Sequence, residues 1–375
     1  MAQTEAVIDL AAIRSNTAHL RANTSAEVMA VVKANGYGHG AVQAATAALA
    51  GGASWLGVCT IDEALQLRRA GITAPILAWL YSPGQPWEQA LAARIDLSVS
   101  SVELLTQVLV AARQTGNAAR VHLKADTGLS RGGASVRQWP DLVTAAAKAQ
   151  AEGAIEVIGI WSHFACSDEL GHPSIAAQLQ VFDQALALAG QQDVQPQLRH
   201  IACSGATLTL PAAHYDLIRP GIALYGYSPI PHTYRSYGLR PAMTLQAEVM
   251  LVKDAPVGAG VSYGHHYTTA RATTLAVIPL GYADGVPRHA SNCGPVQLGG
   301  RRMSIAGTVC MDQFVVDLGE SATTVAAGDR AVLFGPGDDG EPSADDWAEL
   351  VGTISYELLV RVGARVQRVY RGGGV

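Results

Sequence analysis

Short apolar runs alternate with amphipathic stretches through residue 240 of the chain. Eight of the runs have the composition of buried strands, namely residues 28–32, 55–58, 76–80, 96–99, 121–124, 155–161, 200–202 and 216–218. The stretches between them have helical spacing, as in the single face formed by Val102, Leu105, Leu109 and Ala112. This alternation is typical of a parallel sheet, and eight strands predict an α/β fold of the (β/α)8 TIM-barrel type.

The pattern changes near Arg240. From there, β-branched runs separated by glycines and prolines occur at residues 243–253, 273–280, 303–309, 314–318 and 331–334. Helical periodicity returns only at residues 344–350, so the sequence predicts a second, mostly β domain. We assign residues 11–240 to the barrel. We assign residues 1–10, which include a short predicted strand, and residues 241–375 to the β domain.

Composition excludes several classes of protein. Hydrophobic residues make up 49% of the chain and charged residues 15%, so a large core is expected and disorder is not. The net charge of −5, without a basic block, argues against a nucleic-acid surface. From the sequence we expect neither a membrane-spanning segment nor a signal peptide. Five scattered cysteines indicate reduced thiols in a cytoplasmic protein, with neither disulfides nor a metal site.

The first barrel strand is followed by Lys33 and a loop with three glycines, a tyrosine and a histidine within seven residues. A buried strand rarely ends on lysine, because burying an unpaired ammonium group is costly. Glycines at this spacing permit tight turns and close approach of the backbone to a ligand. A lysine in this position can form a Schiff base with an aldehyde cofactor, although a lone lysine is more often a surface residue.

Further polar residues follow later barrel strands, at the end where the catalytic groups of this fold lie. They are Lys124 and Asp126 after the fifth strand, His163 after the sixth, Cys203, Ser204 and Gly205 after the seventh, and Arg219, Pro220, Gly221 and Ile222 after the eighth. The loops after the last two strands commonly bind phosphate, and Ser204 and the neighbouring backbone N–H groups suit that task. Together with Lys33 they predict a pyridoxal 5′-phosphate site.

Several motifs resemble those of alanine racemases and occur in the same order. Residues 30–40, AVVKANGYGHG, are similar to that family's pyridoxal-attachment motif. Further similar blocks are KADTG at 124–128, SHFA at 162–165, IRPGI at 218–222, VSYG at 261–264, GYADG at 281–285 and CMDQ at 310–313. The resemblance covers essentially the whole chain. It implies an isomerase that interconverts L-alanine and D-alanine on pyridoxal phosphate by a two-base mechanism.

The resemblance also implies the two bases and the residues that support them. Lys33 would hold the cofactor as a Schiff base (the aldimine) and act on one face of the substrate, and Tyr263 would act on the other face. Arg219 would hydrogen-bond the pyridine nitrogen, and His163 would link Tyr263 to Arg219. An always-charged arginine there leaves the nitrogen unprotonated, which weakens the electron sink and disfavours transamination.

The remaining implied roles concern binding. Phosphate ligands would be Tyr37, Ser204, Gly221, Ile222 and Tyr356. The substrate carboxylate would be positioned by Arg131 and Met311, with a carbamate on Lys124 facing Arg131, and the entrance would be lined by Asp168 and Tyr282. In this family the second base reaches the barrel of a partner subunit, so the resemblance implies a homodimer with shared active sites. The D-alanine would supply peptidoglycan.

Three positions depart from the family pattern, and three other functions stay open. Cys203 stands where asparagine is usual, Gly36 where alanine is usual, and Ser130 before Arg131 is also unusual. A racemase of another small amino acid, such as serine, would have the same catalytic residues. A non-catalytic pyridoxal phosphate carrier would need no second base. A fold-related decarboxylase would generally have an acidic residue in place of Arg219.

Overall fold

A closed barrel of eight parallel strands forms the first part of the protein. The structure is a computed structural model that describes residues 3–82, 84–319 and 324–373. The first strand, β1 (Thr4–Asp9), lies outside the barrel. The barrel strands are β2 (Glu27–Val31), β3 (Trp55–Val58), β4 (Ile76–Ala78), β5 (Asp96–Val99), β6 (Ala119–Lys124), β7 (Ile155–Trp161), β8 (Leu198–His200) and β9 (Leu217–Ile218). Strands β2 to β9 pair in parallel in the order 8-7-6-5-4-3-2-9. Backbone hydrogen bonds from Asp216 to Arg199 and from Arg219 to Ala202 join β9 to β8 and close the barrel.

Helices surround the barrel. They are α1 (Leu10–Ala22), α2 (Lys33–Tyr37), α3 (Ala41–Ala50), α4 (Ile61–Arg69), α5 (Trp87–Ala92), α6 (Val102–Thr115), α7 (Trp139–Ala151), α8 (Pro173–Gln191) and α9 (Ser204–Thr209). Thr60 and Glu63 form a capping box that opens α4, with each side chain accepting from the other residue's backbone N–H. The predicted barrel and its helices are therefore confirmed, with shifts of a few residues at element ends.

The second part of the protein is mostly β. Its elements are β10 (Met243–Glu248), β11 (Leu251–Ala255), β12 (Gly260–Val261), β13 (Tyr267–Thr268), β14 (Thr273–Ile278), β15 (Pro295–Leu298), β16 (Arg301–Ser304), β17 (Phe314–Gly319), β18 (Arg330–Phe334), α10 (Ala344–Val351), α11 (Ser355–Arg361) and β19 (Gln367–Arg371). A six-stranded sheet has the order 16-15-18-10-1-19, and smaller sheets comprise β11-β14-β17 and β12-β13. Strand β1 thus lies in a sheet with the C-terminal strands. The exact domain limits, 11–240 against 1–10 with 241–375, stay predictions, and residues 1, 2, 83, 320–323, 374 and 375 lie outside the described residues.

Two of the predicted β runs differ from the structure. The run at 243–253 is divided between β10 and β11, because the chain changes sheet there: Val249 bonds to Asp329, whereas Met250 bonds to Val277. The run at 303–309 forms a strand only as far as Ser304. Continuous apolar composition gives no sign of either break, because it does not reveal which neighbour each residue pairs with.

The link between the two parts is held by a buried asparagine and a glycine. Asn16 of α1 accepts a hydrogen bond from the Arg240 backbone N–H and donates to the Arg240 and Leu224 carbonyl oxygens. Gly226 faces the same segment at a φ of +90°, and a Cβ there would lie 1.9 Å from the Arg240 oxygen. The tight packing of this link fixes how the β domain begins relative to the barrel.

We expect Gly226→Ala to destabilise the protein more than Gly71→Ala. Both glycines have positive φ, but a Cβ on Gly71 would meet nothing within 4 Å. The control substitution should cost about 1–2 kcal/mol of backbone strain, and the collision at Gly226 should add roughly 1–3 kcal/mol. Thermal unfolding midpoints compare the two. Equal midpoints would contradict the tight packing at Arg240.

Candidate active site

A cavity of about 720 Å³ opens at the C-terminal ends of the barrel strands. Eleven of the fourteen predicted site residues line it: Lys33, Tyr37, Lys124, Arg131, His163, Asp168, Ser204, Arg219, Gly221, Ile222 and Tyr356. They come from loops far apart in sequence, and the parallel strands bring them together because all strands end at the same rim. The other three, Tyr263, Tyr282 and Met311, do not line this cavity.

Lys33 starts a turn with unusual backbone geometry. The short helical segment α2 is wound left-handed at Ala34, Asn35 and Gly36, and Tyr37 also has positive φ. Such a conformation is costly for residues other than glycine, and it persists only where surrounding contacts enforce it. One such contact is a 2.7 Å hydrogen bond from the Ala34 backbone N–H to the carboxylate of Glu63. At Gly36, which departs from the family pattern, the missing Cβ relieves part of this strain.

The position of Lys33 suits a nucleophilic amine. Its Nζ lies 6.0 Å from the centroid of the Trp79 ring, at the wall of the cavity. Burial lowers the pKa of the Lys33 amine below its ordinary value. A lowered pKa increases the unprotonated fraction, which is the form that attacks a carbonyl carbon.

Arg219 is buried, with only 4% of its surface exposed. Its guanidinium donates to the Ser162 carbonyl oxygen at 2.7 Å and to His200 Nδ1 at 2.9 Å, and it lies 3.4 Å from His163 Nδ1. Its Cζ sits 4.8 Å from the centroid of the Trp161 ring. All of these neighbours are neutral acceptors or an aromatic face, so the guanidinium remains a charged donor at the cavity wall.

The loops after β8 and β9 form a small cradle. Ser204 Oγ accepts hydrogen bonds from the backbone N–H groups of Gly221 and Ala223, at 2.8 and 3.3 Å. A Cβ on Gly221 would lie 2.3 Å from the Tyr37 hydroxyl, so only glycine allows Tyr37 to approach. The rings of Tyr37 and Tyr356 lie 6.2 Å apart. Three hydroxyl groups therefore converge beside closely approached backbone, which suits a phosphate group.

Two further cations, Lys124 and Arg131, line the same cavity. Lys124 Nζ lies 4.3 Å from the centroid of the Trp161 ring. Burial, followed by the positive charges of Arg219 and Arg131, lowers the pKa of Lys124 to about 8. The same causes lower the pKa of His163 well below its ordinary value, which keeps that imidazole neutral. The cavity is thus electropositive and favours an anionic ligand.

The loop that presents Arg131 is anchored by Asp126. Its carboxylate accepts from the backbone N–H groups of Gly128 and Ser130, at 3.0 and 3.1 Å. Ser130 has a φ of +55°. The loop is therefore a capped turn, and Ser130, one of the three departures from the family pattern, has the left-handed conformation in it. At the third departure, Cys203 lines the cavity with its Sγ 3.0 Å from Ser167 Oγ.

Tyr263, Tyr282 and Met311 lie on the β domain and are exposed to 73%, 41% and 53%. They belong to neighbouring backbone segments. Ser262, next to Tyr263, donates to Thr308 and contacts the sulfur of Cys310. The Cys310 carbonyl in turn accepts from the Tyr282 N–H. These three side chains thus form an exposed group, the tyrosine face, that a single chain does not bring to its own cavity.

Sequence reasoning missed several residues around Arg219. His200 and, behind it, His122 and Asp96 are fully or nearly fully buried. His122 lies in β6 and Asp96 begins β5, so each interrupts an apolar strand with a polar side chain. A buried polar residue in such a strand needs a partner, and that signal could have identified them.

Some features are absent from the described ranges of the chain. There, no group of three His, Cys, Asp or Glu side chains is arranged to hold a metal ion. The five cysteines are not joined in disulfides. The helices described by the structure include none with the length and hydropathy needed to cross a membrane.

Comparison with known proteins gives consistent matches over the full chain. Models of the alanine racemase N-terminal and C-terminal domains match residues 8–229 and 242–370. An alanine racemase of Salinispora tropica is 61% identical over 373 residues, covering 99% of both chains. Among solved structures, alanine racemase from D-cycloserine-producing Streptomyces lavendulae superposes with a TM-score of 0.98 at 54% identity, covering 100% of this chain and 98% of that one. The alanine racemase of Streptomyces coelicolor A3(2) superposes with a TM-score of 0.96 at 56% identity, with 98% of each chain covered.

The lowered pKa of Lys124 predicts its reactivity. In buffer freed of carbon dioxide, acylation of Lys124 should rise with pH about a midpoint near 8, because the amine loses its proton there. Peptide mass spectrometry after brief acetic anhydride pulses measures this, with the exposed Lys148 as the control for reagent access. A midpoint near the ordinary lysine value of 10.5 would contradict the electrostatic description of the cavity.

Proposed function

The chain belongs to the alanine racemase family, and we propose that it interconverts L-alanine and D-alanine with pyridoxal 5′-phosphate bound in the barrel cavity. The family makes it an enzyme, an amino-acid isomerase. The observation that carries the proposed mechanism is the convergence of Lys33, the phosphate cradle and Arg219 on one cavity.

The residues present fit pyridoxal phosphate. The hydroxyls of Tyr37, Ser204 and Tyr356, with the backbone at Gly221 and Ile222, would hold its phosphate. Burial lowers the pKa of the Lys33 amine, which would bond to the aldehyde carbon of the cofactor. The buried Arg219 would donate a hydrogen bond to the cofactor's ring nitrogen. When bound, this cofactor lowers the energy of removing the Cα proton of an amino acid, because its ring accepts the negative charge.

The protein's own residues then move the proton. Lys33 takes or returns the Cα proton on one face of the substrate, since burial lowers the pKa of its amine and so increases the unprotonated fraction that can act as a base. Arg219 stays charged, so it would keep the ring nitrogen of a bound cofactor unprotonated. Such a ring would accept less charge, which would favour return of the proton to Cα over transamination.

A second base must act on the opposite face, and we assign it to Tyr263. Burial raises the pKa of Tyr37 and of Tyr356, so the two tyrosines in the cavity stay protonated and are poor bases. Tyr263 is exposed on the tyrosine face and available to another chain. We therefore propose a homodimer in which the partner's Tyr263 completes each cavity, with His163 linking that tyrosine to Arg219.

Substrate binding would use Arg131 and Lys124. Arg131 would pair with the carboxylate of alanine, and the partner's Met311 would lie beside it. A carbamate on Lys124 would turn a third positive charge into an anion that pairs with Arg131. A lysine pKa of about 8 favours this, because only the neutral amine reacts with carbon dioxide. Asp168 and the partner's Tyr282 would line the entrance.

The alternatives considered from sequence are not favoured. The named relatives are alanine racemases over nearly their full lengths, with the β domain included. A carrier without turnover would need neither that domain nor Tyr263. We propose that the D-alanine is used for peptidoglycan and that the enzyme acts in the cytoplasm.

Chiral chromatography tests the function. The purified protein with pyridoxal phosphate should convert L-alanine to a mixture of both enantiomers, and convert L-serine more slowly by on the order of tenfold or more, as expected if it shares the substrate of its relatives. The Lys33→Ala variant, as control, should form no D-product from either. D-serine formed as fast as D-alanine would indicate a broader racemase, and no D-product from a cofactor-loaded protein would refute the two-base proposal.

A further inference from the structure

A buried chain of hydrogen bonds runs across the barrel interior from Arg219 to Asp96. Arg219 donates to His200 Nδ1 at 2.9 Å, and His200 Nε2 lies 2.9 Å from His122 Nδ1. His122 Nε2 lies 3.3 Å from a carboxylate oxygen of Asp96. Arg120 holds the same carboxylate with two hydrogen bonds of 2.8 and 3.1 Å. The chain therefore starts at the catalytic cavity and ends at the N-terminal end of β5, on the opposite side of the barrel.

The barrel interior is shaped around these side chains. Both imidazoles are completely buried, and Asp96 is 1% exposed. The Trp161 ring stacks on His200 at 5.8 Å with an interplanar angle of 6°. A Cβ on Gly159 would lie 2.3 Å from His122 Nδ1, so glycine is required where β7 passes that ring. The rings are thus held in fixed orientations with little room to rotate.

The two ends of this hydrogen-bond chain, Arg219 and Asp96, determine which ring nitrogen of each histidine carries the proton. A guanidinium can only donate, so His200 Nδ1 must be an unprotonated acceptor and its proton must be on Nε2. That proton points at His122 Nδ1, which must then also be an acceptor, so His122 carries its proton on Nε2 and donates it to Asp96. Any other arrangement would set two donors or two acceptors against each other inside the barrel.

We propose that Asp96, His122 and His200 are positioning residues that hold the Arg219 guanidinium as a charged donor directed into the cavity. Without the carboxylate, the imidazoles could exchange their proton positions, and a proton on His200 Nδ1 would repel Arg219 and displace it. This inference rests on the proposed role of Arg219 toward the cofactor's ring nitrogen. In metal sites, hydrogen bonds from outside the ligand set likewise fix the tautomer and orientation of a histidine ring.

The electrostatics agree with this arrangement. Burial lowers the pKa of both His122 and His200, so neither imidazole is charged near neutral pH. Burial alone would raise the pKa of Asp96, but the hydrogen bonds and charges of His122 and Arg120 outweigh it and lower the pKa. One carboxylate and two neutral rings therefore connect the Arg120 and Arg219 guanidinium groups.

The wild-type holoenzyme provides the first test. In ¹⁵N spectra of protein labelled at histidine, a scalar coupling across the N–H···N hydrogen bond should identify His200 and His122 as a pair. Both rings should be neutral with the proton on Nε2. A proton on Nδ1 of either ring, or a charged ring, would overturn the proposal whether or not the protein racemises alanine.

Asp96→Asn provides the second test, because an amide has one acceptor oxygen where the carboxylate has two. Its NH2 group would face an N–H donor of Arg120 or His122 instead of accepting from it. We expect kcat to fall at least about tenfold, as for other outer contacts that orient an imidazole, while KM stays within about twofold. The coupling should weaken or vanish. Glu156→Gln is the matched control, since Glu156 also pairs with Arg120 but is half exposed and touches neither histidine.

The comparison of the two variants decides between positioning and simple loss of stability. If Asp96→Asn keeps the kcat of Glu156→Gln and the histidine tautomers of the wild type, the proposal is wrong. Should Asp96→Asn not fold, the wild-type tautomers alone decide.

Discussion

The proposed active site depends on a buried guanidinium, that of Arg219. Arg219 is almost completely enclosed, and no carboxylate among the described residues forms an ion pair with it. Its charge is instead solvated by backbone carbonyls, by two neutral imidazoles and by the face of Trp161. A carboxylate at this position would neutralise the donor, whereas neutral acceptors leave its charge available to a ligand. The lowered pKa values of Lys124 and His163 follow partly from this one charge.

The same charge constrains the barrel below it. Neutral acceptors for Arg219 require defined tautomers, and the tautomers require Asp96 at the far end of the barrel. Space for the rings comes from a glycine in β7 and from aromatic neighbours. The cavity and the barrel interior are therefore a connected polar system and not a ligand pocket placed on an apolar core.

Much of this could be predicted from the sequence, for identifiable reasons. Parallel strands end at one rim, so residues following each apolar run, such as Lys33, Ser204 and Arg219, could be brought together without a structure. The left-handed winding of Ala34 to Tyr37 could not be predicted, because contacts distant in sequence, such as Glu63 to Ala34, enforce it. The pairing of His122 with His200 joins residues 78 positions apart and leaves no local pattern. The break between β10 and β11 is hidden for the same reason.

The cavity and the tyrosine face are the two halves of the proposed active site, and a single chain keeps them apart. The cavity contains the half-buried Lys33 and the other cations, whereas Tyr263 is exposed on the β domain. We propose that the two halves meet between two copies of the chain.

Mixing inactive subunits tests that claim most directly. Lys33→Ala and Tyr263→Phe proteins would be dissociated, combined and reassociated, with heterodimers verified by native mass spectrometry. In each heterodimer one barrel would have an intact lysine and an intact partner tyrosine, so activity on the order of a quarter of wild type should return after random exchange. Verified heterodimers that remain inactive would contradict a site shared between subunits.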